Sequence, residues 1–378
     1  MRLETVELRN FRCFESFTLQ LQGESLFVVA PNAGGKTSLL RGIRGALHGL
    51  VVTHRDFRDL AVPVELIATL SGIPADAQGA FADAIDFSTS PPTLRIGTRG
   101  IWDADEREVE SVHGYPDHTW QRARREARER LALLFLPAWR DPARLASVVG
   151  RQSMLDELIS GLALDEELEQ AVIAIATAGQ QLARAEPLQE LLMSLSAELK
   201  GFLPDVVEQA YTLGLDVARP EDILRELELL LSHRGPETPV GEQSGGLTQA
   251  SVFALALALL ARKPDTLLLV DEPEAALHPQ AQRALVAALR DRAGQSVMAT
   301  HSAAVLDRVD PRSVLRLRRR ADGDTESVRA SSMPAEDATR LSRYATSHTA
   351  EAYFARTVVL VEGFSDLLAV RVIGFVIK

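Results

Sequence analysis

Alternating apolar and charged residues at the start of the chain predict a strand. Leu3, Val6 and Leu8 stand among charged residues in segment 2–9, and a half-buried strand shows such an alternation. A turn follows, and segment 17–21 has a similar pattern. The two segments are therefore predicted to pair as neighbouring strands.

Short apolar runs further along the chain predict two kinds of sheet. The runs at 62–70 and 93–97 are separated by a turn-forming segment and suit an antiparallel layer. The runs at 26–29, 266–270 and 297–300 are almost entirely apolar, as buried parallel strands are. Each leads into a polar loop and then into a helix, which is the order of a doubly wound α/β domain.

Residues 147–233 differ from the rest of the chain because they are rich in Leu, Ala and Glu and contain few Gly. Apolar positions recur there every three or four residues, as at Leu155, Leu158 and Leu162. This spacing gives a helix one apolar face. The segment therefore predicts an inserted antiparallel helix pair or small helical bundle.

Composition narrows the class of protein. The 378 residues are 46% hydrophobic, which suits two or three domains, and the net charge of −11 argues against a protein that coats nucleic acid over its whole surface. A local basic groove is still compatible with this charge.

The single cysteine, Cys13, excludes internal disulfides. The most hydrophobic run, 252–261, is ten residues long and too short to cross a bilayer. We expect a cytoplasmic protein without a membrane partner.

The segment from Ala30 to Thr37 has the spacing of a phosphate-binding loop, G-x-x-x-x-G-K-[ST], with Ala30 in place of the first glycine. Backbone N–H groups at the start of the following helix favour anions. Lys36 is expected to reach the β- and γ-phosphates of a nucleotide, and the Thr37 hydroxyl to bind Mg²⁺. The residues expected to contact the nucleotide are Asn32, Ala33, Gly34, Gly35, Lys36, Thr37 and Ser38.

Two adjacent acidic residues follow the apolar run 266–270. Asp271, at the carboxyl end of a strand, can hold Mg²⁺ through water, and Glu272 can orient and deprotonate an attacking water. Because carboxylates are costly to desolvate alone, they need a cationic partner. His301 follows the next apolar run and can hydrogen-bond a γ-phosphate. We therefore predict catalytic roles for Glu272, His301 and Lys36.

Several polar segments leave two interpretations open. Arg12, in the turn after the first strand, either lies over the nucleotide or is a solvated turn residue. Segment 244–246, Ser-Gly-Gly, suits a phosphate at a helix start, although this triplet is also common in linkers. The arginine-rich segment 121–130 is either a patch that faces DNA or a partner, or, as we favour, a solvated helix with ion pairs along its surface. Segment 316–320 is also basic and leaves contact with DNA open.

Together these motifs resemble the ATPase head of the ABC superfamily, in its RecF/SMC branch. The resemblance implies that the cofactors are ATP and Mg²⁺. It implies that Lys36 and Thr37 form the Walker A motif. Asp271 and Glu272 would form the Walker B motif, and His301 would be the switch histidine.

The same resemblance implies that the protein works as a homodimer. Ser244, Gly245 and Gly246 look like the signature loop, which in that superfamily contacts ATP on the opposite subunit. Arg12 is also a candidate for contact with the nucleotide. Asp56 is the best candidate for the Q-loop position and for a further Mg²⁺ ligand, since no glutamine fits that position.

The last segment resembles the opening of a Toprim domain. A predicted strand at 357–361 ends in Glu362-Gly363-Phe364-Ser365-Asp366, and the resemblance makes Glu362 a metal ligand. An ABC head followed by Toprim is the architecture of the OLD (overcoming lysogenization defect) family of nucleases, which act in phage defence. Toprim chemistry also needs a later Asp-x-Asp, which is not found before Lys378. Nuclease activity is therefore expected only with a complete Toprim domain.

These observations predict an α/β protein with an ABC-type ATPase head, an inserted helical dimerisation element and a truncated Toprim start. Its expected function is ATP hydrolysis that regulates a DNA nuclease. The alternative is an ATP-switched DNA-binding clamp of the RecF/SMC type that does not cut DNA. The predicted divisions are residues 1–146 for the N-terminal segment of the ATPase, 147–233 for the helical insertion, 234–350 for the C-terminal segment of the ATPase and 351–378 for the Toprim start.

Overall fold

The computed structural model describes residues 1–21, 23, 25–138, 154–159, 161–190, 193, 229–231, 238–307, 309–344, 350–355, 357–359 and 362–363. Contacts divide the chain into two compact units. The first consists of Met1–Trp139 and Leu260–Lys378, and the second of Arg140–Leu259. The fourfold division expected from the sequence stays a prediction.

Strands and helices are described in both units. The strands are, in chain order, β1 (Arg2–Phe11), β2 (Phe14–Gln20), β3 (Ser25–Val29), β4 (Val64–Ser71), β5 (Ile85–Asp86), β6 (Thr93–Asp103), β7 (Glu108–Tyr115), β8 (Gln121–Arg122), β9 (Leu133–Leu136), β10 (Leu230–Leu231), β11 (Thr238–Pro239), β12 (Leu267–Asp271), β13 (Gln295–Thr300), β14 (Val314–Arg319) and β15 (Thr325–Arg329). The α-helices are α1 (Lys36–His48), α2 (Ala75–Gln78), α3 (Arg125–Glu129), α4 (Met154–Ile159), α5 (Asp165–Ala183), α6 (Gly245–Arg262), α7 (Pro279–Arg292) and α8 (Ala335–Tyr344).

One sheet of the first unit is antiparallel. Its strands lie in the order β2-β1-β4-β6-β7-β8, and β5 pairs with β6. In β1, Val6 lies opposite Leu19 of β2 and Ala68 of β4, and all three side chains are buried. This confirms the predicted pairing of the first two segments and the antiparallel layer.

The other sheet of the first unit is mainly parallel, in the order β15-β14-β3-β13-β12-β9. Neighbouring strands from β14 to β9 run parallel, and β15 closes one edge as an antiparallel strand. The carboxyl ends of β3, β13 and β12 therefore lie side by side. This confirms the predicted α/β arrangement and brings the loops after these three strands to one edge.

Helix α1 packs against both sheets of the first unit. Its buried face includes Leu39, Leu40 and Ile43, which belong to one hydrophobic core with residues of both sheets. The helix approaches the antiparallel sheet closely: a Cβ on Gly42 would lie 2.7 Å from Leu8 Cδ2. The packing therefore fixes the first turn of α1, where the phosphate-binding loop ends.

The described residues of the predicted helical insertion contain helices α4 and α5. Helix α5 has three acidic residues in its first turn, Asp165, Glu166 and Glu167, which suit the positive end of the helix dipole. Ile173, in the middle of α5, is 61% exposed. Residues 194–228 of the predicted insertion lie outside the described residues.

Helix α6 is longer than the ten-residue apolar run in the sequence. It has 18 residues because the less apolar segment from Gly245 also adopts helical structure. By length and hydropathy it could cross a membrane, so the length argument from the sequence was wrong. The core helix of a globular protein passes the same test, and 39% of this helix is buried.

Two other segments differ from the expected secondary structure. Segment 121–130 is not one helix: β8 comes first, paired with β7, and the short helix α3 follows. Residues 357–359, expected to begin a strand, have no strand structure, and Val358 and Val359 are 51% and 60% exposed. An extended segment becomes a strand only when it pairs, and these three residues pair with no described strand.

Candidate active site at the edge of the parallel sheet

The phosphate-binding loop connects β3 to α1 in a tight backbone turn. A Cβ on Gly34 would lie 2.6 Å from Ala30 Cβ and 2.8 Å from the Pro31 carbonyl oxygen. Gly35, the residue before α1, has φ 97°, a conformation that favours glycine. Ala30 is tolerated in place of the first motif glycine because Gly34 has no side chain. The loop thus brings bare backbone to the start of α1, as phosphate binding requires.

Other residues of the loop face solvent. Asn32 and Ala33 are exposed, Ala33 has φ 60°, and Ser38 is partly buried in the first turn of α1. Behind the loop, a Cβ on Gly35 would lie 2.9 Å from Cys13 Sγ. The β1–β2 turn therefore supports the loop from the side of the antiparallel sheet.

Lys36 is the first residue of α1 and is 6% exposed. Its Nζ donates a hydrogen bond to the Ala30 carbonyl oxygen at 3.0 Å. Burial lowers the pKa of Lys36, whereas nearby carboxylates act in the opposite direction. These carboxylates belong to Asp271, Glu272 and Glu274. The structure thus brings the lysine of the loop within electrostatic range of the acidic segment after β12.

The two residues predicted to bind Mg²⁺, Thr37 and Asp271, contact each other directly. Thr37 Oγ1 donates a hydrogen bond to Asp271 Oδ2 at 2.7 Å. Asp271, the last residue of β12, is 1% exposed. A hydroxyl and a carboxylate oxygen are ligands that Mg²⁺ prefers, so this pair fits the ion that the sequence implies.

Glu272 and His301 lie beside this pair and are more open to solvent. Their side chains are 41% and 34% exposed, and Glu272 Oε1 lies 3.9 Å from His301 Nε2. Glu272 has φ 51°, and its N–H donates to the Ala299 carbonyl oxygen at 2.8 Å. The backbone of β13 thus holds Glu272 in an unusual conformation, with its carboxylate accessible to water.

Glu274 is a residue of this edge that the sequence pattern did not single out. Its carboxylate accepts hydrogen bonds from Thr300 Oγ1 at 2.8 Å and from the His301 N–H at 2.5 Å. Its proximity in the sequence Asp-Glu-Pro-Glu to the two acidic residues with predicted roles was the available signal. The sequence does not predict where the Glu274 carboxylate points, because its direction depends on the neighbouring strand β13.

Arg12 and Asp56 bind each other. Arg12 Nε and Nη2 each lie 2.8 Å from Asp56 Oδ1, and the Thr53 N–H and hydroxyl donate to Oδ2. Burial raises the pKa of Asp56, but hydrogen bonds from Thr53 and Arg12 outweigh it and hold this pKa below its ordinary value. Both oxygens of Asp56 are therefore already occupied by donors.

The remaining predicted site residues are distant in sequence from the loops at this edge of the sheet. Ser244 and Gly245 are exposed where α6 begins, and Gly246 is partly buried. Glu362 is exposed in a bend, and Asp366 lies outside the described residues. Within the described ranges, no group of three or more His, Cys, Asp or Glu side chains could hold a metal ion.

Comparison with known families assigns the class of protein. Residues 27–307 match the family described as "AAA domain, putative AbiEii toxin, Type IV TA system". This match covers more than half of the chain, and the chain therefore belongs to that family. It carries an ATPase domain of the AAA type.

Particular relatives agree with this assignment. An OLD nuclease of Thermus scotoductus is 28% identical over 97% of this chain and 72% of that protein. The Old nuclease of Escherichia phage P2 is 22% identical over 97% of this chain and 68% of that protein. The predicted resemblance to the OLD family is confirmed.

Solved structures confirm the fold. An SMC head bound to the C-winged helix domain of ScpA is 14% identical, with a TM-score of 0.52, covering 88% of this chain and 99% of that chain. An SMC head with an extended coiled coil, bound to the C-terminal domain of ScpA derived from Pyrococcus furiosus, has a TM-score of 0.50 at 14% identity, covering 90% and 98%. The predicted ABC-type head is thus the fold of this chain.

Proposed function

We propose that this chain binds Mg²⁺-ATP at the loop between β3 and α1 and hydrolyses it. The observation that carries the proposal is the 2.7 Å hydrogen bond from Thr37 to Asp271. This bond joins the first turn of α1, directly after the β3–α1 loop, to the end of β12, although the residues are 234 positions apart. Such a junction is what a nucleotide site with one metal ion needs.

Each residue has a distinct role in the proposed reaction. Lys36 would bind the β- and γ-phosphates. Thr37 and Asp271 would hold Mg²⁺, which neutralises phosphate charge when it is bound. Glu272 would orient the attacking water and accept its proton, and His301 would hydrogen-bond the γ-phosphate. The greater exposure of Glu272 and His301 supports these roles, because both must meet water and substrate.

Dimerisation would complete the site. The exposed start of α6, with Ser244 and Gly245, can reach a nucleotide on a second copy, as the resemblance to ABC heads implies. The exposed Ile173 of α5 supports a contribution of the helical insertion to the dimer. ATP would then favour the association of two heads. A cytoplasmic location also stays a prediction.

We further propose that ATP turnover regulates a DNA nuclease in phage defence or DNA processing. The two curated relatives are named as nucleases, which supports the nuclease part of this proposal. Glu362 would belong to the metal site of that nuclease, and a complete Toprim domain would be required for cutting. The alternative is an ATP-switched clamp that binds DNA without cutting it.

The ATPase proposal is tested by replacing the proposed base. Glu272→Gln should lower kcat for ATP at least about 100-fold, because general base catalysis contributes about that much or more. The dissociation constant for Mg²⁺-ATP should change less than about threefold, since Gln keeps the shape of the side chain. Glu106→Gln, in the exposed β6–β7 turn, is the matched control. Unchanged turnover in Glu272→Gln would exclude Glu272 as the base.

The two DNA hypotheses are separated by one assay on this chain joined to a complete Toprim domain, which the nuclease hypothesis requires for cutting. Supercoiled plasmid is incubated with the protein, Mg²⁺ and either ATP or no nucleotide. Cutting that depends on ATP supports a regulated nuclease. ATP-dependent retention of plasmid on the protein without any cutting favours the clamp.

A further inference from the structure

The loops after β12 and β13 are joined by the side chain of Glu274. Thr300 Oγ1 donates to Glu274 Oε2 at 2.8 Å, and the His301 N–H donates to Oε1 at 2.5 Å. Glu274 follows Glu272 by two residues. One carboxylate therefore fixes the segment that contains His301 to the segment that contains Glu272.

A second polar bridge holds the same two segments. Gln282, on α7, is 8% exposed. Its Oε1 accepts from Ser302 Oγ at 2.6 Å, and its Nε2 donates to the Leu277 carbonyl oxygen at 2.7 Å. The Ser302 N–H also donates to Thr300 Oγ1 at 2.9 Å. His301 is thus flanked by two residues that are bound to the loop after β12 or to the helix that follows it.

We propose that Glu274 is a positioning residue, which sets the 3.9 Å separation between Glu272 Oε1 and His301 Nε2 during ATP hydrolysis. This inference rests on the proposed ATPase function. Glu272 has a positive φ, a conformation that persists only when its surroundings enforce it. Because catalytic rates are sensitive to displacements of about 1 Å, the bridge would act on the rate rather than on ATP affinity.

Hydrogen-bond chemistry separates positioning from an effect of charge. Glutamine keeps one acceptor oxygen for the His301 N–H, and its amide can donate to Thr300 Oγ1, which can accept instead of donate. Glu274→Gln therefore preserves both contacts and removes the negative charge. Glu274→Ala removes both contacts and the charge.

The experiment measures kcat and KM for ATP in the wild-type protein and in these two variants. Glu274→Ala should lower kcat about 30- to 100-fold, because the geometry of Glu272 and His301 is lost. Its KM should change less than about threefold. Glu274→Gln should recover kcat to within about fivefold of the wild type, since the bridge is retained.

Three outcomes of these measurements on the Glu274 variants would overturn the inference. Equal losses in Glu274→Gln and Glu274→Ala would mean that the charge of Glu274 acts directly. A Glu274→Ala variant with more than half of the wild-type kcat would mean that the bridge is dispensable. A pH–rate profile that loses its acidic limb in Glu274→Ala would make Glu274 a titrating base.

Gln295 supplies a matched control for general damage to the sheet. It lies at the other end of β13, and its side chain also makes two hydrogen bonds, with the Leu3 N–H at 2.8 Å and the Leu3 carbonyl oxygen at 2.9 Å. Gln295→Ala should lower the Tm and keep kcat within about twofold. A loss of kcat as large as that of Glu274→Ala would attribute both losses to stability and contradict positioning.

The double variant Glu272→Gln/Glu274→Ala keeps this inference distinct from the ATPase proposal. If Glu274 acts through Glu272, the double variant should be no slower than Glu272→Gln by more than about threefold. If the losses of kcat in the two single variants were fully additive in the double variant, the inference would be overturned. A Glu272→Gln variant as active as the wild type would instead contradict the ATPase proposal itself. An inactive Glu272→Gln with a fully active Glu274→Ala would contradict positioning only.

Discussion

The two ends of β13 carry similar polar bridges that hold different parts of the molecule. At the amino end, the Gln295 side chain binds the backbone of Leu3 in β1 through two hydrogen bonds. At the carboxyl end, Thr300 and the His301 N–H bind the Glu274 side chain. One bridge joins strands of the two sheets, and the other joins two loops at the edge of one sheet.

The difference lies in what surrounds each bridge. Gln295 is 4% exposed and its partner is backbone, so the bridge at the amino end contributes to stability. The bridge at the carboxyl end leads to Glu272 and His301, which are 41% and 34% exposed. In a parallel sheet the loops at the carboxyl ends lie together and are free to carry reactive groups. Similar bonds therefore stabilise the sheet at one end and position side chains at the other.

The largest effect is expected from Asp271→Asn at the carboxyl end. The variant removes the charge that would bind Mg²⁺ and keeps an oxygen to accept the Thr37 hydroxyl. Loss of metal binding should lower kcat/KM for ATP at least about 100-fold. Steady-state kinetics over a range of Mg²⁺ concentrations checks this, and the Tm should change little. An active variant with the wild-type Mg²⁺ dependence would mean that Asp271 does not bind the metal ion.

A smaller effect is expected from Gln295→Ala at the amino end. Two buried hydrogen bonds are lost, and the Leu3 N–H and carbonyl are left without these partners, which should cost about 2–3 kcal/mol of unfolding free energy. Denaturant titration of the full chain measures this loss, and kcat should stay within about twofold. If stability were unchanged and activity fell, the two ends of β13 would not differ as we describe.

The smallest effect on ATP turnover is expected at His113 of β7, whose Nε2 lies 3.0 Å from the Ala46 carbonyl oxygen of α1. Burial, with nearby Arg128 and His48, lowers the pKa of His113 to about 4. The unfolded chain binds this proton near pH 6.5, so stability should fall as the pH drops from 6.5 to 4.

The loss over this pH range should be on the order of 3 kcal/mol. His113→Gln keeps a donor at a similar position but cannot be protonated, and it should flatten the pH dependence of the Tm. Turnover at pH 8 should stay unchanged, because β7 belongs to the antiparallel sheet. An equally steep pH dependence in the variant would assign the effect to other groups, such as His48.

Local pattern predicted the strands and motifs of the ATPase head. The apolar run that became β12 is continuous because both faces of a parallel strand are buried. The phosphate-binding loop was recognisable from spacing, since Gly34 and Lys36 are required by local backbone geometry and charge. Both kinds of signal lie within about ten neighbouring residues.

Other elements were missed or misjudged for identifiable reasons. The hairpin of β14 and β15 was not predicted because arginines interrupt the apolar pattern of β14. The full length of α6 was not predicted because its first turn contains Gly245 and Gly246, which are poor helix formers. The expected strand at 357–361 failed in its described residues because apolar composition does not supply a pairing partner.

The sequence by itself predicted the phosphate-binding loop and the order of its partner motifs, and it determined the family. Only the tertiary structure decided that Thr37 and Asp271 meet at 2.7 Å, that Arg12 is bound to Asp56, and that Glu274 points at the end of β13. The physical reason is that motif chemistry is local, whereas these contacts depend on strand order. Pairing of β13 between β3 and β12 brings distant loops to one edge, and no local pattern encodes that adjacency.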